Sequence, residues 1–308
     1  MPTADVNGIE ICYQSLGPDE APTCLLVMGL GAQMLLWPDG FVTELLDRGF
    51  RVVRFDNRDV GLSSVTPGEA PDIMAMMAAR AAGEPVAAPY TFSDMAADAI
   101  GLLDHLQIDS AHIVGASLGG MIVQTMAFEH PDRVASVTSI MSTTGADDVG
   151  QPDEAALAAL LTPPPTERDA AIAHNVEVGR TISGPLFDEQ EALERSRETF
   201  DRSFRPAASA FQLAAMGASG DRTERLGSVD CPALVIHGRA DPLVTLSGGV
   251  ATAEAIPNAD LLVLGDMGHD LPGVYWPQMA DAIIGIARRA DEATSHHDRR
   301  QHPPVSPD

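Results

Sequence analysis

Residues Ile113-Val114-Gly115-Ala116-Ser117-Leu118-Gly119 end an apolar strand pattern on Gly-x-Ser-x-Gly and pass at once into a helical pattern. A serine on so sharp a turn has a strained backbone and an exposed Oγ, and the small residues Gly115, Ala116 and Gly119 let strand and helix pass close together. The motif alone also fits a plain Gly/Ser turn, so its partners decide the reading. A serine nucleophile needs a base to take its proton and a carboxylate to orient that base. Two later segments offer them. The strand pattern at 232–238 runs into Arg239-Ala240-Asp241-Pro242, and that at 261–265 runs into Asp266-Met267-Gly268-His269-Asp270. In a parallel sheet all three groups lie past the carboxyl ends of strands, the edge at which open α/β sheets place their chemistry. Ser117 is the candidate nucleophile, His269 the base and Asp241 the acid.

The elements that must position these groups are legible from period and punctuation. Residues 4–13 alternate around Asn7-Gly8, a favoured two-residue hairpin turn, so the chain opens with two antiparallel strands. Strand patterns follow at 24–28, 51–55, 112–116, 134–141, 233–237 and 261–264. Helical patterns occupy 41–48, 95–106 with Ser93 as N-cap, 118–129 and 276–290. Such alternation implies an α/β fold: a mainly parallel sheet with helices on both faces. Between 143 and 223 the alternation breaks, and helical stretches run in succession at 154–161, 167–181, 189–202 and 207–216, with breaks at Pro163-Pro164-Pro165 and Arg205-Pro206. Strand patterns resume afterwards, so this segment reads as an insertion into one sheet rather than a separate domain. The expected organisation is a core over 1–142 and 224–290, a helical insertion over 143–223, and a polar, His/Pro-rich, aperiodic tail over 291–308 that is disordered.

From about Asn7 to about Arg288 the chain resembles capped α/β-hydrolases of the serine esterase type, similar to actinobacterial carboxylesterases, lipases and anthracycline methylesterases. The resemblance rests on Val27-Met28-Gly29-Leu30-Gly31, on Arg54-Phe55-Asp56-Asn57-Arg58-Asp59-Val60-Gly61-Leu62-Ser63, on the elbow at Ser117, and on Asp241 with His269. The chain order Ser, Asp, His is the order of that fold. The resemblance implies an eight-stranded, mainly parallel sheet with a helical cap inserted after strand six. It also implies two backbone donors for a developing oxyanion: the residue after the nucleophile, Leu118, and one on the loop after the third strand, Leu30. Relatives commonly begin that loop His-Gly where this chain has Met28-Gly29, and many have glycine where this chain has Asp59. Asp56, Arg58 and Ser63 are expected to brace the loop beside the site. Some members draw the acid from the loop after strand six, where Asp147 and Asp148 lie; Asp241 matches the usual pattern residue by residue.

The implied activity is hydrolysis of a carboxylic ester or thioester of a small or medium apolar substrate through an acyl-enzyme, with no cofactor and no metal. A C–C bond hydrolase and a cofactor-free perhydrolase or haloperoxidase share the same triad, and a ligand receptor could keep the fold without turnover. Dehalogenases and epoxide hydrolases of this fold need an aspartate nucleophile, which counts against both.

Composition agrees with a globular enzyme: 308 residues, 45% of them apolar, suffice for one large core. A formal charge of −25 argues against nucleic acid or anionic membrane as a partner. No apolar run reaches the ~20 residues of a membrane helix, and Met1-Pro2-Thr3-Ala4-Asp5 lacks the features of a signal peptide, so the expected location is cytoplasmic. Cys12, Cys24 and Cys231 sit in strand-like surroundings and are expected to be reduced structural thiols. His105, His112, His130 and His237 read as packed or capping residues, and His296-His297 is too isolated for a metal site. Residues 71–83, rich in Met, suggest a short apolar helix that either lines the entrance to the site or packs onto the body.

Overall fold

The computed structural model describes residues 1–301, with side chains through 292. Its strands are β1 (Thr3–Val6), β2 (Ile9–Leu16), β3 (Thr23–Val27), β4 (Arg51–Phe55), β5 (Ala111–Ala116), β6 (Val134–Ile140), β7 (Ala233–Gly238) and β8 (Asp260–Leu264). They form one eight-stranded sheet in the order β1-β2-β4-β3-β5-β6-β7-β8. β1 pairs with β2 and β2 with β4 antiparallel; every other pairing is parallel. The hairpin turn falls at Asn7-Gly8, both with positive φ, which is what this two-residue turn requires.

The central strands β3, β4 and β5 are buried along their whole lengths, as expected of parallel strands covered on both faces. Two apolar layers cover them. One packs α3 (Phe92–His105) and α4 (Leu118–Glu129) against one face; the other packs α1 (Asp39–Asp47) and α11 (Trp276–Gln301) against the opposite face. α2 (Ile73–Ala81) lies between α1 and α3 in sequence and lies on the surface. Between β6 and β7 the chain leaves the sheet for α5 (Glu154–Leu161), α6 (Arg168–Ile182), α7 (Glu189–Arg202), α8 (Ala208–Ser219) and the single turn α9 (Thr223–Leu226). α10 (Leu246–Ala255) then joins β7 to β8. The turn α9 and helix α10 carry no strong apolar period, and the sequence patterns do not announce them.

Three details depart from the expectations above. The N-cap of α3 is Thr91, not Ser93: the Thr91 amide donates to the Asp94 carboxylate at 2.8 Å in a capping box, while Ser93 Oγ reaches Glu129. α11 continues to Gln301, well past the end expected at 290, because no glycine or proline interrupts the chain between Ala290 and Gln301. The expected disorder of 291–308 therefore does not hold for 291–301, and 302–308 lie outside the described residues. Met74 is 71% and Met77 42% exposed, and no residue of α2 is buried, so this helix forms where expected without packing a face into the core. Among the described residues no helix is long and apolar enough to cross a membrane.

Candidate active site

Ser117 stands between the end of β5 and the start of α4 with φ 55° and ψ −120°, a conformation that costs a non-glycine residue about 1–3 kcal/mol. Neighbouring contacts hold it there. Its amide donates to the carbonyl of Ile140 on β6 at 2.9 Å, and its own carbonyl accepts Ser142 Oγ at 2.8 Å. The glycines around it are sterically obligatory. A Cβ at Gly115 would overlap the Gly119 carbonyl, and one at Gly119 would overlap the carbonyl of Val27 at the end of β3. The helix thus runs against two strand ends, and Oγ is lifted off the sheet edge.

Asp241 lies just beyond β7 and His269 beyond β8, the parallel strands next to β6, so the sheet brings all three groups to one edge. His269 Nε2 lies 2.9 Å from Ser117 Oγ, and His269 Nδ1 lies 2.8 Å from Asp241 Oδ2. The other carboxylate oxygen, Oδ1, accepts the amides of Leu243 and Val244, each at 2.9 Å. Asp241 is buried, and these bonds satisfy the charge that burial would otherwise penalise. With Oδ2 as acceptor, Nδ1 of His269 carries the proton and Nε2 presents its lone pair to the serine hydroxyl. That arrangement can withdraw a proton from Ser117 and return it to a leaving group.

The loop after β3 reaches the serine at Gly29, where an added Cβ would lie 3.2 Å from Ser117 Cβ. Leu30 follows directly, and Leu118 opens α4, where first-turn amides have no partner within the helix. Leu30 is thus one residue from the loop's contact with Ser117, and Leu118 is the residue that follows Ser117.

The remaining candidates are placed elsewhere. Asp147 is paired with Arg80 at the surface, its side chain 85% exposed, and Asp148 is exposed beside it. His105 contacts Tyr13, His112 contacts Ser136 Oγ at 2.9 Å, and His130 ends α4. His237 is buried under the acid and donates through Nε2 to the Val244 carbonyl at 2.7 Å; burial lowers its pKa, which keeps it neutral. Asp56 accepts the amides of Met34 and Leu62 and pairs with Arg202 of α7 at 2.7 Å. Arg58 forms a two-pronged bond with Asp98, and Ser63 Oγ donates to the Asp56 carbonyl. Asp59 adopts φ 73°, the left-handed conformation that glycine favours, and accepts the Tyr90 hydroxyl at 2.6 Å. Cys12, Cys24 and Cys231 are free thiols, and burial raises each pKa, that of Cys231 to about 11. No cluster of side chains suited to a metal ion occurs among the described residues.

Residues 22–272 match the family described as alpha/beta hydrolase fold. The chain belongs to that family. Within it, the chain is 30% identical to rhodomycin D methylesterase DnrP of Streptomyces peucetius over 94% of this chain and 99% of the relative. It is 26% identical to 3-oxoadipate enol-lactonase 2 of Acinetobacter baylyi, over 93% and 96% of the two chains. Among solved structures, a meta-cleavage product hydrolase from Pseudomonas fluorescens superposes with a TM-score of 0.71 at 21% identity, over 95% of this chain and 98% of that one.

Sequence reading passed over several residues that shape the site of this α/β hydrolase. Gln212 of α8 accepts the Gly31 amide through Oε1 at 2.7 Å, and Asn57 donates to the Met28 carbonyl at 2.8 Å. Asn57 lies within the block 54–63 but carried no role there, and for Gln212 the signal was a lone Gln in the apolar run Phe211-Gln212-Leu213. Arg222 is buried with three neutral acceptors, Gln124 Oε1 and the carbonyls of Thr143 and Gly220, and burial lowers its pKa to about 10. It braces the loop after β6. The carbonyl of Ile182, the last residue of α6, accepts the His269 amide.

Proposed function

We propose that this α/β hydrolase cleaves a carboxylic ester through an acyl-enzyme. The observation that carries the reading is the continuous relay from Asp241 through His269 to Ser117, at 2.8 and 2.9 Å, on a strained elbow. Ser117 Oγ attacks the ester carbonyl while His269 Nε2 takes its proton. The tetrahedral oxyanion is held by the amides of Leu30 and Leu118. Collapse breaks the bond to the alcohol, which leaves with the proton from His269. Water then attacks the acyl-serine with His269 again as base, and the acid is released with Ser117 restored. Asp241 orients the ring and offsets the imidazolium charge in both halves. Every proton and electron pair is supplied by substrate, water and these side chains, so the cycle calls on no cofactor.

Two relatives named for substrates with carboxylic ester bonds, a methylesterase and an enol-lactonase, support this chemistry. We take the substrate to be small or medium in size and apolar. We assign the helical insertion the part of a cap, since α6 and α8 each bond to a loop of the site. The test is a series of p-nitrophenyl esters from acetate to laurate, with Ser117→Ala as control. Turnover with an initial burst, absent in the variant, is the expected result; tight binding of esters without turnover by the unaltered protein would favour a receptor instead.

A further inference from the structure

Gln212 is a fully buried amide on α8, inside a helix otherwise made of Ala, Ser, Phe, Leu, Met and Gly at its contact face. Burying a primary amide is unfavourable unless its donors and acceptors are met. Here both ends are used on the core rather than within the insertion: Oε1 accepts the Gly31 amide at 2.7 Å and Nε2 donates to the Arg58 carbonyl at 3.0 Å. Gly31 belongs to a turn closed by the Ala32 amide on the Gly29 carbonyl, with Gly31 at φ 63° in its third position. Leu30 is not left-handed, so the turn is of type II, whose central peptide is flipped relative to type I.

That flipped central peptide, Leu30–Gly31, is the one whose N–H Gln212 holds. The peptide before Gly29 is held from the core side by Asn57 Nδ2 on the Met28 carbonyl, 2.8 Å away. Between them lies the Gly29–Leu30 peptide, which carries the Leu30 N–H. Its carbonyl is engaged by Ala32, so its N–H is turned to the opposite side, and its neighbours on both flanks are fixed by buried side-chain amides. Close packing seals the arrangement: a Cβ on Gly31 would lie 2.7 Å from Ser209 Oγ of the same helix α8.

We propose that Gln212 is a positioning residue that aims the Leu30 amide at the oxyanion, making half of the oxyanion hole depend on the seating of an insertion helix. This rests on the ester-hydrolase reading given above. The oxyanion donor is useful only when fixed before charge develops, because a donor that must reorient returns part of its stabilisation. A core-borne amide such as Asn57 sets one flank permanently, whereas Gln212 sets the other only while α8 is docked.

The experiment compares Gln212→Met, which keeps length but loses the acceptor, with Gln212→Glu, which keeps an acceptor for the Gly31 amide. Readouts are kcat and KM on p-nitrophenyl butyrate, inhibition by an alkyl trifluoromethyl ketone, whose serine adduct bears the oxyanion, and thermal unfolding. In Gln212→Met the expected result is a kcat lower by roughly ten- to a hundredfold with KM little changed. The inhibition constant of the ketone rises by a similar factor, and Gln212→Glu recovers most of both. A folded Gln212→Met with unaltered kcat and ketone affinity, and only a lower unfolding temperature, would overturn the proposal and leave Gln212 a strap. Should Gln212→Met not fold, Gln212→Glu decides alone: loss of ketone affinity by a factor of a hundred in that folded variant also overturns it. Failure of the underlying reading is separately visible, since the unaltered protein would then neither hydrolyse the ester nor be labelled at Ser117 by a fluorophosphonate.

Discussion

The amide of His269 donates to the carbonyl of Ile182 at 2.8 Å, so the loop bearing the proposed base is tied to the last residue of an insertion helix as well as to its own strand. The contact is backbone against backbone on both sides. A Cβ on Gly184 would overlap the carbonyl of Asp266, and one on Gly268 would overlap the amide of Gly184. Gly184→Ala is therefore expected to push the histidine loop off its position. Its kcat on p-nitrophenyl butyrate should fall by about a hundredfold, the cost of a displacement near 1 Å in a reacting group, while urea unfolding shows a smaller change. Unaltered turnover would mean that the two loops move apart without disturbing the base.

Ser117→Ala and His269→Ala should each remove nearly all esterase activity and leave the protein folded. Because the relay works as a unit, the double variant should be little slower than either single one. Rates measured on the three purified proteins check this, and multiplicative losses would break the assignment.

For the acid, Asp241→Asn replaces a carboxylate that holds the proton on His269 Nδ1 with an amide that favours the wrong tautomer. Turnover should drop by about 10⁴. Asp147→Asn, which disturbs only an exposed pair with Arg80, should stay within about twofold, since such pairs contribute about 0–1 kcal/mol. Kinetics of the two variants at one pH separate the two positions.

Replacement of Met74, Met76 and Met77 together by alanine should change stability by less than about 1.5 kcal/mol, because no residue of α2 is buried and exposed substitutions stay within about 0.5 kcal/mol each. A larger fall in the urea midpoint would show that the helix packs more firmly than its exposure implies. A shift in the ratio of kcat/KM between laurate and acetate esters, with stability kept, would place these side chains in contact with substrate.

Burial holds the His112 pKa below its ordinary value, and the ring is bonded to Ser136. The unfolded chain therefore takes up this proton first as pH falls below about 6.5, and stability declines with falling pH by at most about 1.4 kcal/mol per unit. Asp98 and Asp270, raised by burial, act in the opposite direction at lower pH. The useful comparison is thus with His112→Phe. Between pH 7.5 and 5.5 the urea midpoint of the unaltered protein should fall further than that of the variant.

Strand period and Gly/Pro punctuation announced the sheet, because parallel strands buried on both faces must be continuously apolar and must end where the chain turns back. The candidate relay was legible for a related reason: Ser117, Asp241 and His269 each lie within a few residues of the end of an apolar strand run. α10 and the turn α9 were not, since α10 is rich in Ala, Gly and Thr and has no clear apolar stripe, and the four residues of α9 are too few to show one. The roles of Gln212 and Ile182 were hidden for a different reason. Both residues meet the site from an insertion distant in sequence, and Ile182 does so through its backbone carbonyl, which no side-chain pattern encodes. Thr91 displaced Ser93 as the N-cap because Asp94 stands at the spacing for a reciprocal capping box.

The supports that hold the three side chains of the proposed relay are mainly main-chain groups: the Ile140 carbonyl for Ser117, the Leu243 and Val244 amides for Asp241, and the Ile182 carbonyl for His269. Such supports survive a change of side chain at the residue that provides them. Of these positions Ile182 is only partly buried, and it is thereby open to variation in size and shape without moving the candidate base. A framework of this kind lets a lineage explore new substrates by single substitutions, each tried against chemistry that is already in place.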